Sequence, residues 1–223
     1  LEEPAAPPGA AVTEERLVYA RSTTFQAEPA SIDAGVAYMR DTVLPALEEL
    51  GAAGMSLMVD RRLGRCIATS AWESEAVMHL TAHAARPLGA RAAELLNGTR
   101  KEINEWEVTA LHRDHRSPEG ACLRVAWFSV EPHQADLLTD FYRTLVLPAV
   151  EKLEGFCSAS LLLDKPSGRA VSSVTFDNAA ALDNNREQAS ALRTEKLAQL
   201  GGSLVDICEF ELAIAHLRVP ELV

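Results

Sequence analysis

Several things are missing from this 223-residue sequence, and each absence removes a class of function. No uncharged apolar run approaches the ~18 residues needed to cross a bilayer as a helix. Basic charge is scarce, with 21 Lys and Arg against 32 Asp and Glu for a net charge of -11. Binding a phosphate backbone requires a concentrated basic face, so neither nucleic acid nor an anionic membrane is an expected partner. The four cysteines, Cys66, Cys122, Cys157 and Cys208, form no C-x-x-C or C-x-x-H pattern. They read as free thiols on strands in a reducing, cytoplasmic setting, with no metal centre and no cofactor expected. A glycine-rich phosphate loop, a nucleophile elbow and an H-E-x-x-H helix are absent too. The opening LEEPAAPPGAAVTEER lacks the basic start and apolar stretch of a secretory signal. It reads as a disordered tail over residues 1–16, and with no initiator methionine an upstream segment can be missing.

What the sequence does contain is itself, twice. RDTVLPALEEL from Arg40 and RTLVLPAVEKL from Arg143 agree at seven of eleven positions, including Pro45 and Pro148. The same offset of 103 pairs RSTTFQAEP with RVAWFSVEP. After a one-residue slip, an offset of 104 pairs SLMVDRRLGR with SLLLDKPSGR and EWEVTALH with EFELAIAH. This is a tandem duplication: repeat 1 spans 17–116, repeat 2 spans 121–223, and residues 117–120 link them within HRDHRSPEGA.

Each repeat reads as strand, helix, strand, strand, helix, strand. The first strands (17–27 and 122–130) alternate and carry β-branched or aromatic residues. The first helix is predicted over 31–50, with Ile32, Val36, Met39, Val43, Leu47 and Leu50 forming one apolar stripe. A proline inside that helix predicts a kink or restart at Pro45 and Pro148. Gly64 and Gly168 supply hairpin turns, Ser74 and Asn178 cap the second helices, and Gly98 and Gly201–Gly202 stop them. A β-α-β-β-α-β unit is ferredoxin-like, an antiparallel sheet with both helices on one face. The fold class is therefore α+β, two such units whose bare sheet faces cover each other in one pseudo-dimeric barrel.

The stretch VLPAVEKLEGFCSASLLLDKPSGRAVSSVTFDN resembles the antibiotic-biosynthesis-monooxygenase-like domains of the dimeric α+β barrel superfamily. The shared pattern is a helix ending in a proline turn, a Gly-aromatic step, a hairpin, and an aromatic-acid pair opening the second helix. Here that pair is Trp72–Glu73 and Phe176–Asp177. The likeness recurs once per half and extends to uncharacterised actinobacterial tandem proteins. It implies that any enzyme activity would be monooxygenase-like, since relatives that oxidise polyketide aromatics or degrade haem use an Asn and a Trp, with a His in the haem enzymes. Trp72 could serve as such an aromatic. RSTTF carries no Asn, however, Ala68 stands four before Trp72, and Phe176 replaces the Trp in the second half.

Strand alternation nominates a pocket. In the fourth strands, Trp106, Val108 and Ala110, and likewise Phe210, Leu212 and Ile214, are expected under the helices. The opposite rows would then put Glu107 beside Arg21, and Glu211 beside Arg124, in the space between the sheets. Each pair reads either as a structural ion pair or as the polar end of a ligand pocket. His112 and His216, at matched strand exits, are candidate bases or ligands, or plain polar strand ends. His79 and His83, one helical turn apart, lack the glutamate of a metal-binding helix. The candidate pocket is thus Arg21, Trp72, Glu107, His112, Arg124, Phe176, Glu211 and His216, with catalytic residues unassigned. Three functions remain open: a barrel binding a small apolar or aromatic ligand, a divergent oxygenase or haem-handling enzyme, and a non-catalytic assembly protein. Homo-oligomerisation of the two-repeat chain is also left open.

Overall fold

The structure, a computed structural model, describes residues 17–223, and the expected tail over 1–16 lies outside them. Eight antiparallel strands close into one barrel in the order β1-β3-β2-β8-β5-β7-β6-β4. They are β1 Val18–Gln26, β2 Gly54–Asp60, β3 Arg65–Trp72, β4 Thr99–Arg113, β5 Cys122–Ser129, β6 Phe156–Asp164, β7 Arg169–Phe176 and β8 Ser203–Leu217. Each half contributes four neighbouring strands, and two seams join the halves, β2 to β8 and β4 to β6. No helix among the described residues is long and apolar enough to cross a membrane.

The helices pack on the outside. In the first half these are α1 Ile32–Tyr38, α2 Leu44–Glu49 and α3 Glu75–Leu95. In the second they are α4 Ala135–Phe141, α5 Leu147–Val150, α6 Ala179–Asn184 and α7 Arg186–Leu200. The predicted stripe holds: Ile32, Val36, Met39, Val43 and Leu47 are buried against Met55, Leu57 and Trp72. The two matched prolines each follow a π-helical turn, Met39–Val43 and Tyr142–Val146. Proline cannot donate a backbone hydrogen bond, and its ring crowds the carbonyl four residues back. The chain answers by widening the preceding turn, so that Leu44 donates to Met39 and Leu147 to Tyr142, five residues back.

Both hairpin glycines adopt positive φ, 72° at Gly64 and 71° at Gly168. A Cβ at Gly64 would lie 2.1 Å from the Ala27 carbonyl oxygen, and one at Gly168 would lie 2.0 Å from that of Val130. Each hairpin is therefore docked on the end of the first strand of its own half, which only glycine permits.

Apolar residues fill both faces of the barrel wall, and here the expected facing is reversed. Trp106, Val108 and Phe210 point into the barrel with Val18, Ala20, Leu123 and Val125. A register shift between Val108 and Ala110, matched by one beside Leu212, then flips the strand. Beyond it Ala110 and Ile214 do pack under helices, each in the core of the opposite half.

Candidate functional site

The barrel encloses a cavity of about 900 Å³. Its wall is set by strand alternation: Ala20, Ser22 and Thr24 on β1, Ile67, Thr69 and Ala71 on β3, Leu123, Val125 and Trp127 on β5. The small residues among them, Ala20, Ser22, Thr24, Thr69 and Ala71, leave the space. Some hydroxyls within are satisfied by protein, with the Trp106 indole donating to Ser22 Oγ at 2.8 Å and Ser160 paired with Ser173 at 2.7 Å.

One rim carries two arginines at matched positions, each over a tryptophan ring. The Arg65 guanidinium lies 4.5 Å from the Trp127 ring centre, and that of Arg169 lies 5.4 Å from Trp106. Arg65 donates to Asp206 at 2.7 Å, which holds that carboxyl below its usual range. Arg169 donates to Asn104 and Asp164, both at 3.0 Å. The other rim is closed by the chain end: Arg113 donates to the carbonyls of Val219 and Leu217, and Leu222 bridges to Leu111. Arg65 and Arg169 were visible within the repeated hairpins as matched arginines. Strand-end position was the signal that went unused.

Of the nominated residues only His216 lines this cavity. Arg21 and Arg124 face the helices, and their partners are Glu105 and Glu209, two positions from those expected. The register places Arg21 opposite Glu105 and Arg124 opposite Glu209. Arg21 Nε donates to Glu105 at 3.0 Å, and Arg124 Nε to Glu209 at 2.9 Å. Burial pushes the Glu105 carboxyl up, but hydrogen bonds from Arg21 and His79 outweigh it and hold the group low. Glu107 and Glu211 also point outward, and they tie the halves together. Lys165, in the second hairpin, bridges Glu107 and Asp136 at 3.0 and 3.2 Å. Arg61, in the first hairpin, bridges Glu211 and Asp33 at 2.7 and 2.8 Å.

His112 and His216 complete the same pattern. His112 reaches Glu151 of the second half at 3.2 Å, and His216 reaches Glu48 of the first half at 3.1 Å. These four repeated residues thus sit on a pseudo-two-fold interface, where each contact occurs once in each sense. His216 also borders the cavity. Trp72 and Phe176 are sealed in the helix-side cores, the Trp72 indole donating to Ser70 at 3.1 Å. His79 is half-exposed and serves Glu105, with no metal-binding partner at His83 among the described residues.

A second, smaller cavity of about 90 Å³ lies between the sheet and helices of the second half, walled by Leu138, Tyr142, Phe176 and Leu192. Arg124 reaches it with its side chain 7% exposed. Its Nη2 donates to Glu209 and to the Leu182 carbonyl, while Nη1 is buried with no hydrogen-bond partner among the described residues. Arg193 and Lys196 share the wall, and burial together with the Arg124 charge lowers the pKa of Arg193. Burial likewise pushes the Tyr142 phenol up to about 12.

A third cluster joins residues far apart in sequence. His115 Nε2 lies 2.8 Å from Asp177 Oδ1, and Cys157 Sγ lies 3.2 Å from the same oxygen. Asp114 Oδ2 lies 2.8 Å from His115 Nδ1. Hydrogen bonds to Asp114 and Asp177 raise the His115 pKa, and that from His115 lowers Asp177. Burial, then Asp177, pushes the Cys157 thiol up to about 12. Sequence reasoning missed this group because no local spacing marks it.

No family model matches the chain. It is 54% identical over 208 residues to the uncharacterised protein Rv2557 of Mycobacterium tuberculosis, across 93% of this chain and 92% of that one. Among solved structures, an anthrone oxidase-like protein superposes with a TM-score of 0.61 at 12% identity, over 89% of this chain and 91% of the other. A ferredoxin-fold protein from Listeria monocytogenes, related to antibiotic biosynthesis monooxygenases, gives 0.53 at 10% identity, over 91% and 98%. The fold is thus that of the monooxygenase-like dimeric α+β barrels. At such identities the likeness concerns the fold alone.

Proposed function

This chain belongs to the family of Mycobacterium tuberculosis Rv2557, and for it we propose the binding of a small molecule, apolar or aromatic in body, inside the barrel. The cavity of about 900 Å³ carries this reading. It is within the size range of small-molecule sites, and its wall is apolar over most of its area. The stacked Arg65–Trp127 and Arg169–Trp106 pairs at one rim suit an oxygen-rich or anionic substituent, with the apolar body below.

The test begins with native mass spectrometry of the full chain for a co-purifying compound. Titration with that compound should quench tryptophan fluorescence, because Trp106 and Trp127 line the cavity. Replacing Val125 by Trp should intrude on the middle of the space and weaken binding at least tenfold. Unchanged affinity in that variant would overturn the barrel as the site.

The unpartnered Nη1 of Arg124 favours a second reading, a small carboxylate held in the helix-side cavity of the second half. Binding that survives Val125→Trp and is lost in Arg124→Met would select it. The oxygenase reading has less support, since Trp72, the aromatic it relies on, borders neither cavity.

A further inference from the structure

We propose that His115, Cys157 and Asp177 form a zinc-class divalent metal site at the edge of the barrel. The three offer an imidazole nitrogen, a thiol sulfur and a carboxylate oxygen, all within 4.8 Å of one another. Ligand atoms around a tetrahedral zinc stand about 3.3–3.8 Å apart, given bonds of about 2.0–2.3 Å, so side-chain shifts of about 1 Å would complete the set. Two of these atoms already converge on one carboxylate oxygen, His115 Nε2 and Cys157 Sγ on Asp177 Oδ1.

The surroundings hold this arrangement in place. Asp114 accepts from His115 Nδ1, which turns Nε2 inward; an orienting carboxylate behind a ligating histidine is the usual partner of such a metal ligand. The Asp114 amide donates to the Cys157 carbonyl at 2.9 Å, pinning the segment after β4 to β6. The Asp177 amide donates to the Gly155 carbonyl at 2.8 Å, pinning the end of β7 to the turn before β6. Gly155 has φ 73°, and a Cβ there would lie 2.7 Å from that of Ala181, so the turn requires glycine.

The duplication does not account for the cluster. The matched positions in the first half are Ala53 for Cys157 and Glu73 for Asp177, and Val219 matches His115 in the second. A soft sulfur with nitrogen and carboxylate selects zinc or a similar late divalent ion over magnesium or calcium, which prefer all-oxygen sets. Three protein ligands leave a fourth position to solvent, as the half-exposed His115 allows. On binding, the Cys157 thiol proton passes to solvent as the sulfur–metal bond forms.

Calorimetric titration of the full, untagged chain with zinc should show one saturable site per molecule. Cobalt in its place should give a thiolate-to-metal charge-transfer band with strong tetrahedral visible bands. His115→Ala, on an exposed segment, should weaken zinc at least tenfold while the metal-free protein keeps the wild-type circular dichroism spectrum and a cooperative melt. Cys157→Ser should abolish the charge-transfer band even if some affinity persists. Absence of a saturable site, or wild-type affinity in His115→Ala, or a charge-transfer band that survives Cys157→Ser, would each overturn the assignment.

Discussion

In the first half Arg21 and His79 share the carboxylate of Glu105, and the guanidinium has no buried, unpaired nitrogen among the described residues. In the second half Arg124 and Arg186 share Glu209, and one guanidinium nitrogen is buried unpaired among the described residues. The ion pair was duplicated while its packing was not. One cause lies at a single matched position: Gly35 on α1, Leu138 on α4. At Gly35 the helices come so close that an added Cβ would overlap Leu96 after α3, at 2.2 Å from its Cδ2. Leu138 occupies that space in the second half and borders the cavity. The second cause is a break. α3 runs 21 residues unbroken, whereas Asn185 separates α6 from α7 and bonds the carbonyls of Glu154 and Ala181. The seams teach the opposite lesson, since Arg61 and Lys165, Glu107 and Glu211, His112 and His216 all keep matched roles. The repeat stays alike where the halves must fit each other, and diverges where each fits only itself.

Separating the halves breaks the comparison most severely. Residues 17–116 and 121–223 expressed alone should each dimerise or aggregate, because the inner face carrying Trp106 or Phe210 would be bare. Ultracentrifugation decides, and a stable monomer of either half contradicts the shared core. Next, removing the acid should cost unequally. Glu209→Ala leaves Arg124 buried without its charge partner and should cost about 3–5 kcal/mol. Glu105→Ala, beside the more accessible Arg21, should cost about 1–2 kcal/mol. Equal losses in denaturant melts would refute the difference in burial. Gly35→Leu should destabilise by about 1–3 kcal/mol by overpacking α1 against Leu96. A neutral result would show that Gly35 does not set the helix spacing.

The seam pairs are exposed, so Arg61→Ala and Lys165→Ala should each cost under about 1 kcal/mol and add in the double variant. A larger or non-additive loss would make the hairpins more than surface clasps. The smallest effect is that of pH. Glu105 and Asp206 are held low in the folded chain, so their stabilisation is complete above about pH 4.5 and is lost as pH falls through their depressed values. His115 is raised, so its contribution is complete below about pH 6.5 and lost as pH climbs through its elevated value. Melting temperature should therefore peak, shallowly, between those limits. His115→Ala should remove the decline on the alkaline side.

The architecture was legible because a repeat constrains topology strongly: a doubled β-α-β-β-α-β unit with a bare sheet face has few ways to close. The facing of its strands was not legible. Alternation in EWEVTALH separates Trp106 from Glu105 but does not say which side is inside, and a barrel has an apolar interior as well as an apolar helix side. The bulges past Val108 and beside Leu212 reverse the phase within one strand, which no period-two pattern reveals. The glutamate row lies outside because the long fourth strands extend to the seams, where charged hairpin residues from the other half meet them. The pairing of Arg21 with Glu105 depends on a register fixed by the distant strand ends. His115, Cys157 and Asp177 come together only once the barrel has closed.

The short connection between Arg113 and Cys122 has a kinetic meaning as well. It turns the meeting of two half-barrels from a collision between molecules into an event within one, at an effective concentration in the millimolar range for a short tether. Dilution that would dissociate a two-chain barrel leaves this one closed. Seams stitched by half-exposed ion pairs are then strong enough, because a half that loosens remains within reach of its partner.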